Sequence, residues 1–338
     1  MPTYNFGAFI AQTLDSIVGQ IAPGVEVVIL DGGSTDNTRE VVRSFIDRGL
    51  PINYVRQEVR GGIDLDMART VDLARGEYCW LFSSDDIMKA GAIQKVLDEI
   101  QSGHDLYLGG LTLCDFDMNM NLVAEHPVSR ARRGEVFDLG KDADRSRYFR
   151  LAETTTALFS FMGSLIFKRE RWNQHELEQN YASSLWAHVV RILRMIPDGL
   201  KVKSLGESLL YKRSGNDSFM DRGLVHRYAM AIDGYDRIAN DIFGERSLEA
   251  RHTRRVLVNE FPPQIFFLLR EESLKTGSGK EISEIDRLVR KTYRDATVRN
   301  LAYLVDYRFS LTPIYRRAKA RVKNIARRIL RQTTAQNG

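Results

Sequence analysis

The sequence of 338 residues predicts an α/β fold followed by a helical region. Short apolar runs alternate with amphipathic stretches through the first 120 residues, which is typical of a parallel sheet with helices on both faces. Acidic residues directly follow two of the predicted strands, and beyond Ser214 the apolar spacing is almost wholly helical. These observations predict a ligand-binding α/β domain with a helical C-terminal region.

Each element of the first half has a local justification. Residues 25–30 (VEVVIL) are a β-branched run between Pro23-Gly24 and Asp31-Gly32-Gly33, and therefore predict a buried strand. Ser34 to Asn37 offer N-cap chemistry to the helix that follows, and Gly76 ends the next helix. The predicted order is strand 25–30, helix Thr38–Asp47, strand Ile52–Arg56, helix 65–74, strand 77–82, helix Ala92–Ile100 and strand Leu106–Cys114.

The pattern changes after the fourth predicted strand. Residues 119–150 are polar and basic, 158–168 form a strongly apolar run, and 183–196 have helical spacing. We place a domain boundary near residue 215. The predicted domain 1–215 divides into two halves, 1–118 and 119–215, and the helical region is 216–338.

Composition and charge exclude several classes of protein. Hydrophobic residues make up 43% and charged residues 28% of the chain, too apolar for a disordered protein. No run of about 18 apolar residues predicts a membrane-spanning helix, and two cysteines cannot form a disulfide framework. Beyond Asp306 there are nine basic residues and no acidic one. Because the whole chain has a net charge of +5, the residues up to Asp306 together carry a net negative charge.

Carboxylates at the strand ends indicate the chemistry. Ligands of open α/β sheets bind beyond the carboxyl ends of the strands, where Asp31, Asp85 and Asp86 are expected. Adjacent carboxylates repel each other unless a cation is near, and Mg²⁺ or Mn²⁺ commonly shares such oxygens with phosphates. Asp31 could instead be a polar turn residue, and Asp85-Asp86 a helix cap. Together they favour a nucleotide–metal site.

Four motifs occur in order along the first 86 residues: Pro2-Thr3-Tyr4-Asn5, Leu30-Asp31-Gly32-Gly33-Ser34-Thr35-Asp36-Asn37-Thr38, Ala68-Arg69-Thr70 with Ala74-Arg75-Gly76-Glu77-Tyr78, and Phe82-Ser83-Ser84-Asp85-Asp86. Together they resemble glycosyltransferase family 2, whose fold is GT-A. The likeness covers roughly residues 2–120 well and 155–195 loosely. Within it, 76–86, 163–167 and 181–188 are most similar to abequosyltransferase-type members, which build bacterial polysaccharide side branches.

The resemblance implies that 1–118 is the nucleotide-sugar-binding half of the domain and 119–215 the acceptor half, and it implies roles for residues on the donor side. Thr3 and Tyr4 would lie in the loop that contacts the nucleotide base, and Asp31 would accept a hydrogen bond from that base. Arg69 would contact the nucleotide, although a surface salt bridge is an equal alternative. Asp85 would touch the ribose or order the metal shell. Asp86 would bind Mg²⁺ or Mn²⁺, which bridges the diphosphate.

The implied reaction is displacement at the anomeric carbon of a nucleotide-sugar, with inversion. The acceptor hydroxyl then needs a base, which the family usually supplies as an acid near a helix start in the second half. Here 180–188 contain no acid, and His188 is the nearest titratable group, with an ordinary pKa suited to a base. A packed histidine is the alternative, and Glu178 and Glu153 are the other candidates.

Two other functions stay open at the sequence level. A nucleotidyltransferase acting on a sugar phosphate also pairs acids with Mg²⁺, but residues 4–9 (YNFGAF) lack its basic, glycine-rich loop. A non-catalytic nucleic-acid-binding protein could use the basic tail. However, Tyr315 is the one aromatic residue beyond Phe309, which argues against base stacking.

The tail suggests where the protein works. Apolar residues of 313–332 recur every three or four positions among basic ones, a pattern typical of a helix in a membrane interface. A helix packed on the body is the alternative. We therefore expect a cytoplasmic protein, peripheral on the inner face of the membrane, with a nucleotide-sugar donor, a lipid-linked or glycan acceptor, and no nucleic-acid partner.

The resemblance also implies a missing element. Family members begin with an apolar strand immediately before the Pro-Thr-Tyr-Asn loop, whereas here Met1 alone precedes Pro2. That strand would lie between the strand ending at Asp31 and the one ending near Ser84. We therefore expect the first strand to be absent from this sequence and the working protein to begin at least about six residues earlier.

Overall fold

The computed structural model describes residues 1–128, 130–217, 222–295 and 297–309. They form two compact units, Met1–Glu260 and Phe261 onwards. The first unit extends past the boundary expected near residue 215, because helix α8 (Leu224–Phe243) contacts α7 (Ala187–Leu193), and α9 (Leu248–Glu260) contacts α5 (Asp142–Leu151). The tail 313–332 lies outside the described residues.

Strands and helices alternate through the first unit. Its described strands are Pro2–Thr3 (β1), Val27–Asp31 (β2), Ile52–Arg56 (β3), Tyr78–Trp80 (β4), Ile87–Met88 (β5), Leu106–Cys114 (β6), Asn121–Glu125 (β7), Val136–Asp138 (β8), Leu165–Lys168 (β9) and Lys201–Arg213 (β10). Its remaining helices are Ile10–Val18 (α1), Thr38–Asp47 (α2), Ile63–Leu73 (α3), Ala92–Ile100 (α4) and Arg169–Asn173 (α6). The second unit contains α10 (Pro263–Thr276), α11 (Gly279–Thr292) and α12 (Val298–Phe309).

The strands form two sheets instead of one. β1, β2 and β3 are parallel, in that order, as the alternation predicts. The other sheet runs β4-β9-β6-β10-β5, with β7 beside β6 and β8 beside β10, and it is mixed: β10 is parallel to β6, but β9 is antiparallel to β4 and β6. The expected parallel sheet is therefore confined to the first three strands.

The expected absence of a first strand is corrected in part. Pro2 and Thr3 form a two-residue strand beside Leu30 and Asp31, and Met1 continues its line by donating from its nitrogen to the Val28 carbonyl at 2.8 Å. Among the described residues β1 pairs with β2 alone, so no strand joins β2 to β4.

A cavity of about 330 Å³ lies between the two sheets. Its lining is mostly apolar and comes from β2 on one side and β4 on the other, with α3 and α4 contributing Val71 and Val96. Around it the core contains the buried faces of α1, α2 and α4, including Ile10, Leu14 and Phe45. The sheets are therefore held together by helix packing at this point and not by a shared ladder of hydrogen bonds.

Candidate active site

The loops after β1 and β2 are joined by hydrogen bonds. The Asn5 nitrogen donates to Ser34 Oγ at 2.9 Å, and the Thr35 nitrogen donates to Asn5 Oδ1 at 2.8 Å. Asn5 has a φ of +58°, a left-handed conformation that asparagine tolerates better than most residues. These bonds fix the loop that carries Thr3 and Tyr4 against the loop that follows Asp31.

Asp31 is fully buried at the end of β2. Its Oδ1 accepts from the Ser34 nitrogen at 2.7 Å and its Oδ2 from the Tyr54 hydroxyl at 2.5 Å, while Arg56 Nε lies 3.9 Å away. Burial, followed by the hydrogen bond to Asp31, raises the pKa of Tyr54, so the phenol remains a donor at neutral pH. The carboxylate is thus fixed in place, and each of its oxygens already accepts one protein donor.

Thr3 and Tyr4 lie where the loop leaves β1. Thr3 is buried, and its hydroxyl has no hydrogen-bond partner among the described residues. The Tyr4 ring is half-buried and has the Arg60 guanidinium 4.1 Å from its centre, a cation–π pair. A buried hydroxyl without a partner next to a stacked aromatic ring is chemistry that suits a nucleoside.

Arg69 is exposed on α3, and among the described residues it does not form the predicted alternative, a surface salt bridge. Its Nη1 donates to Gln57 Oε1 at 3.0 Å, and Gln57 Nε2 donates in turn to Asp66 Oδ1 at 2.6 Å. The Gln57 nitrogen also donates to the Asp31 carbonyl. The guanidinium therefore connects through Gln57 to the end of β2.

Asp85 lies at the other strand end that sequence predicted. The Ser83 hydroxyl donates to its Oδ1, and Asn216 Nδ2 donates to its Oδ2 at 2.7 Å. Ser84 Oγ donates to the Pro2 carbonyl at 3.1 Å, which connects this turn to β1. The two predicted strand ends, after β1–β2 and before β5, are therefore neighbours in the fold.

Asp86 is more deeply placed than the sequence suggested. It is 3% exposed, and its Oδ1 accepts from the Arg213 nitrogen at 3.0 Å. Burial, together with the charge of Asp85, raises the pKa of Asp86 to about 8. The adjacent carboxyl groups are thus in an unfavourable arrangement that a cation would relieve.

Arg213 organises this acid pair, and sequence analysis missed it. Its side chain is buried and donates to the carbonyls of Asp85 and Phe116 and to Gln12 Oε1. Its guanidinium also lies 4.9 Å from the centre of the Phe9 ring. The missing signal is β10 itself, a 13-residue strand whose irregular apolar pattern gave no strand prediction.

The structure does not support His188 as the base. The residue is 6% exposed on α7, and its Nε2 lies 3.1 Å from the Phe159 carbonyl and 3.3 Å from that of Ser160. Nε2 must therefore carry the proton, while Nδ1 is buried without a partner in the described chain. Burial lowers the pKa of His188 to about 4. This placement is that of a histidine packed in the core.

The other two candidate bases are in surface ion pairs. Glu178 Oε1 lies 2.6 Å from Arg194 Nε, and Glu153 Oε1 lies 2.8 Å from Arg130 Nε. A base must reach the reacting hydroxyl, and neither ion pair involves the strand ends described above. The structure therefore leaves the base to be found elsewhere.

The carboxylates of Asp85 and Asp86 fit a divalent cation whose other ligands come from phosphate and water. Within the described ranges no group of three or more His, Cys, Asp or Glu side chains could hold a metal. Mg²⁺ and Mn²⁺ are commonly held by one or two carboxylates, with phosphates and water completing the shell. Asp86, with Asp85 beside it, supplies that number of carboxylates.

Comparison with known proteins identifies the class. Residues 1–157 match the model of Glycosyl transferase family 2. The chain therefore carries a family 2 domain and is a glycosyltransferase that acts on nucleotide sugars, with the GT-A fold followed by helices. The nucleotidyltransferase and nucleic-acid-binding alternatives are set aside by this match.

Individual relatives narrow the comparison. Abequosyltransferase RfbV of Salmonella typhimurium is 28% identical over 268 residues, which are 78% of this chain and 80% of that protein. Glycosyltransferase GlyG of Streptococcus pneumoniae is 30% identical over 101 residues, 30% of this chain and 34% of the relative. The expected likeness to an abequosyltransferase is therefore confirmed over most of the chain.

Two solved structures share the fold. TarS residues 1–349 of S. aureus, in complex with UDP-GlcNAc, aligns over 89% of this chain and 82% of its own, with a TM-score of 0.55 and 17% identity. The mannosyltransferase PcManGT of Pyrobaculum calidifontis, in complex with GDP-Man and Mn²⁺, aligns over 94% and 81%, with a TM-score of 0.53 and 14% identity. Both confirm the GT-A architecture.

Proposed function

We propose that this glycosyltransferase transfers a sugar from a nucleotide-sugar to a hydroxyl of a lipid-linked or polysaccharide acceptor, with inversion and with Mg²⁺ or Mn²⁺. The observation that carries the proposal is the acid pair Asp85-Asp86, buried at a strand end beside the loops of Thr3 and Asp31. The long alignment with an abequosyltransferase supports a role in polysaccharide assembly.

The donor side is assigned to the residues already described. Tyr4 would stack near the base, and Asp31 would accept a hydrogen bond from it through a lone pair not used by Ser34 or Tyr54. Thr3 would offer its unpartnered hydroxyl to the nucleoside. Arg69, whose partner in the described part of the chain is the neutral Gln57, would keep its charge available for the diphosphate.

The acid pair is assigned to the diphosphate and ribose. Asp86 would hold the cation, which supplies charge neutralisation to the departing nucleoside diphosphate. Asp85 would lie beside the cation in a fixed orientation, because Ser83 and Asn216 each donate a hydrogen bond to one of the Asp85 carboxylate oxygens. Arg213 holds the turn from behind through the Asp85 carbonyl, so both carboxylates stay in place as the charge of the leaving group grows.

The acceptor would arrive over the half of the domain that includes β7 and β10. A single displacement from the face opposite the leaving group inverts the anomeric centre. The basic tail 313–332 would bring the enzyme to the inner face of a membrane, where a lipid-linked acceptor is carried. No helix within the described residues is long and apolar enough to cross a membrane.

A two-stage experiment tests this function. The full chain is first screened for thermal stabilisation by UDP-, GDP-, CDP- and dTDP-sugars, with and without Mn²⁺, and each binding donor is then assayed for release of its nucleoside diphosphate. Asp86→Asn should reduce release by more than tenfold, over about 1.4 kcal/mol of barrier. Asp15→Asn, which removes an exposed acid on α1, should not. Full activity of Asp86→Asn would contradict the assignment of Asp86 as the ligand of the cation.

A further inference from the structure

A second group of charged side chains lies on one face of the seven-stranded sheet. Glu125 of β7 pairs with Leu111 of β6, and Leu111 pairs with Leu210 of β10. Residues directly paired across a ladder share a face, and so do residues two apart along one strand. Glu125 and Lys212 therefore project from the same face.

The segment that crosses this face contacts both side chains. Thr154 Oγ1 donates to Glu125 Oε1 at 2.7 Å, and the Lys212 ammonium lies 5.0 Å from the centre of the Phe161 ring. A methyl group added at Gly163 would lie 3.1 Å from Leu210, so the same segment continues over β10. Residues 154–163 thus cover the part of the sheet surface that lies between Glu125 and Lys212.

The same face leads to the acid pair. β5 lies beside β10 with Ile87 opposite Tyr211, so Asp86 comes next to Lys212 at the end of the ladder. From β7 to β5 there are three inter-strand steps, roughly 15 Å between backbones. Glu125 and Asp86 thus lie on opposite sides of Lys212 along this face of the sheet.

Glu260 at the end of α9 lies close to this group, but its oxygens are used. Its Oε2 accepts from the Thr155 nitrogen at 2.7 Å and its Oε1 from the Thr155 hydroxyl at 3.0 Å. Burial raises the pKa of Glu260, the nearby charge of Glu125 raises it further, and Lys212 opposes the rise. Glu260 therefore fixes the segment that carries Thr154.

Glu125 differs from Glu260 in having an available oxygen. Thr154 occupies its Oε1, whereas no donor within the described ranges reaches its Oε2. The side chain is partly exposed, at the carboxyl end of β7. It is thus a fixed carboxylate with one open oxygen, on the sheet face that holds the acid pair.

We propose that Glu125 is the catalytic base of the transfer, an inference that rests on the proposed function. Its Oε2 takes the proton of the acceptor hydroxyl as the hydroxyl oxygen bonds to the anomeric carbon. The bond from that carbon to the diphosphate oxygen breaks, and its electron pair leaves with the nucleoside diphosphate. Thr154 holds Oε1 and so directs Oε2 toward the acceptor.

The test uses the donor found in the screen and two small acceptors. Water needs a base to become a nucleophile, whereas azide is already an anion and needs none. Glu125→Gln should lower donor hydrolysis by about 100-fold or more, in the range that a general base contributes, with donor affinity within twofold of wild type. Sodium azide should restore donor consumption, with a glycosyl azide of inverted configuration as the product.

Glu178→Gln is the matched control, because Glu178 is a partly exposed acid in a surface ion pair. It should hydrolyse the donor at the wild-type rate. Hydrolysis by Glu125→Gln within threefold of wild type, a loss of donor binding, or no recovery with azide would each overturn the assignment. A wild-type protein that consumes no donor would instead overturn the proposed function itself.

Discussion

Two buried side chains, Asp86 and His188, have folded-state pKa values displaced in opposite directions. Burial raises the pKa of Asp86 to about 8 from an ordinary value near 4, and it lowers the pKa of His188 to about 4 from an ordinary value near 6.5. Both side chains are therefore uncharged near pH 6 in the folded chain without a cation. Their contributions to stability have opposite slopes with pH, and single variants separate them.

Between about pH 4 and pH 8, the Asp86 carboxyl is protonated in the folded state and ionised in the unfolded state. The free energy of unfolding should therefore fall as pH rises through this window, by at most about 1.4 kcal/mol per pH unit. Asp86→Asn should lose this slope. Urea unfolding of both proteins in chelator from pH 5 to pH 8 measures it, and parallel curves would contradict the burial argument.

For His188, the unfolded state binds the additional proton between about pH 4 and pH 6.5. The free energy of unfolding should fall as pH decreases through this window, since unfolding is then favoured by protonation. His188→Gln retains an N–H donor for the Phe159 carbonyl and cannot be protonated, so its stability should depend less on pH between 4.5 and 6.5. Equal slopes for variant and wild type would refute the assignment.

Strand ends explain which site residues could be predicted. Asp31, Asp85 and Asp86 follow apolar runs that are visible in the sequence, and the structure brings their two loops together through Ser84 and Pro2. Arg213 and Glu125 could not be found this way. The Arg213 nitrogen bonds Asp86 across 127 residues of sequence. Glu125 shares a sheet face with Lys212 only because Leu111 of β6 pairs both with Glu125 and with the distant Leu210 of β10. Nothing in local spacing specifies such long-range pairings.

Helices and strands with strong local signals were predicted correctly to the residue. These are Thr38–Asp47, Ile52–Arg56, Ala92–Ile100 and Leu106–Cys114. The apolar run 158–168 is different, because only Leu165–Lys168 is a strand and the rest is in two short 3₁₀ turns and loop. Phe159 has a φ of +69°, a left-handed conformation that interrupts any strand. Long-range packing decided the structure of this segment.

The turn before α7 contains two non-glycine residues in the left-handed region, Ser183 with a φ of +79° and Leu185 with +74°. Asp64 of α3 holds it by accepting from the Leu185 nitrogen at 2.8 Å and the Ala187 nitrogen at 3.2 Å. Burial raises the pKa of Asp64, although these N–H groups oppose the rise. α3 therefore stabilises the strained entry to α7.

Ser183→Gly should stabilise the protein. Serine in the left-handed region costs about 1–2 kcal/mol, which glycine avoids. The extra conformational freedom that glycine gives the unfolded chain lowers stability, but it offsets only part of this gain. We expect a gain of up to about 1 kcal/mol in the free energy of unfolding, measured by urea denaturation. Ser102→Gly, at an exposed position with ordinary φ, is the control and should not stabilise.

Gly234 permits α8 to contact the indole of Trp186. A Cβ at this position would lie 2.1 Å from Trp186 Nε1, the atom that donates to the Met230 carbonyl at 3.1 Å. Gly234→Ala should therefore destabilise the first unit by about 1–3 kcal/mol through overpacking. Gly19→Ala, where a Cβ meets nothing within 4 Å, should be neutral or stabilising. A stable Gly234→Ala protein would contradict the packing described.

At the scale of the whole molecule, the charge distribution predicts membrane attachment through 313–332, a segment outside the described residues. Truncation at Thr312 should release the protein from anionic vesicles, because each basic residue contributes about 1 kcal/mol at most near an anionic leaflet. Co-sedimentation with phosphatidylglycerol vesicles measures this, with neutral vesicles as control. Equal binding of both proteins would exclude the tail as the anchor.

The cavity between the two sheets has a mechanical consequence. The space of about 330 Å³ is partly open to solvent, so its apolar walls are incompletely packed against each other, and such packing defects are lost when the walls become fully hydrated. Hydrostatic pressure favours whichever state has the smaller volume, so the molecule should be compressed and loosened first along the line between β2 and β4. Asp85 and Asp86 directly precede β5 of the seven-stranded sheet, whereas the loop that carries Thr3 and Tyr4 leaves β1 of the three-stranded sheet. Pressure should therefore loosen the contact between these two loops before it unfolds either sheet.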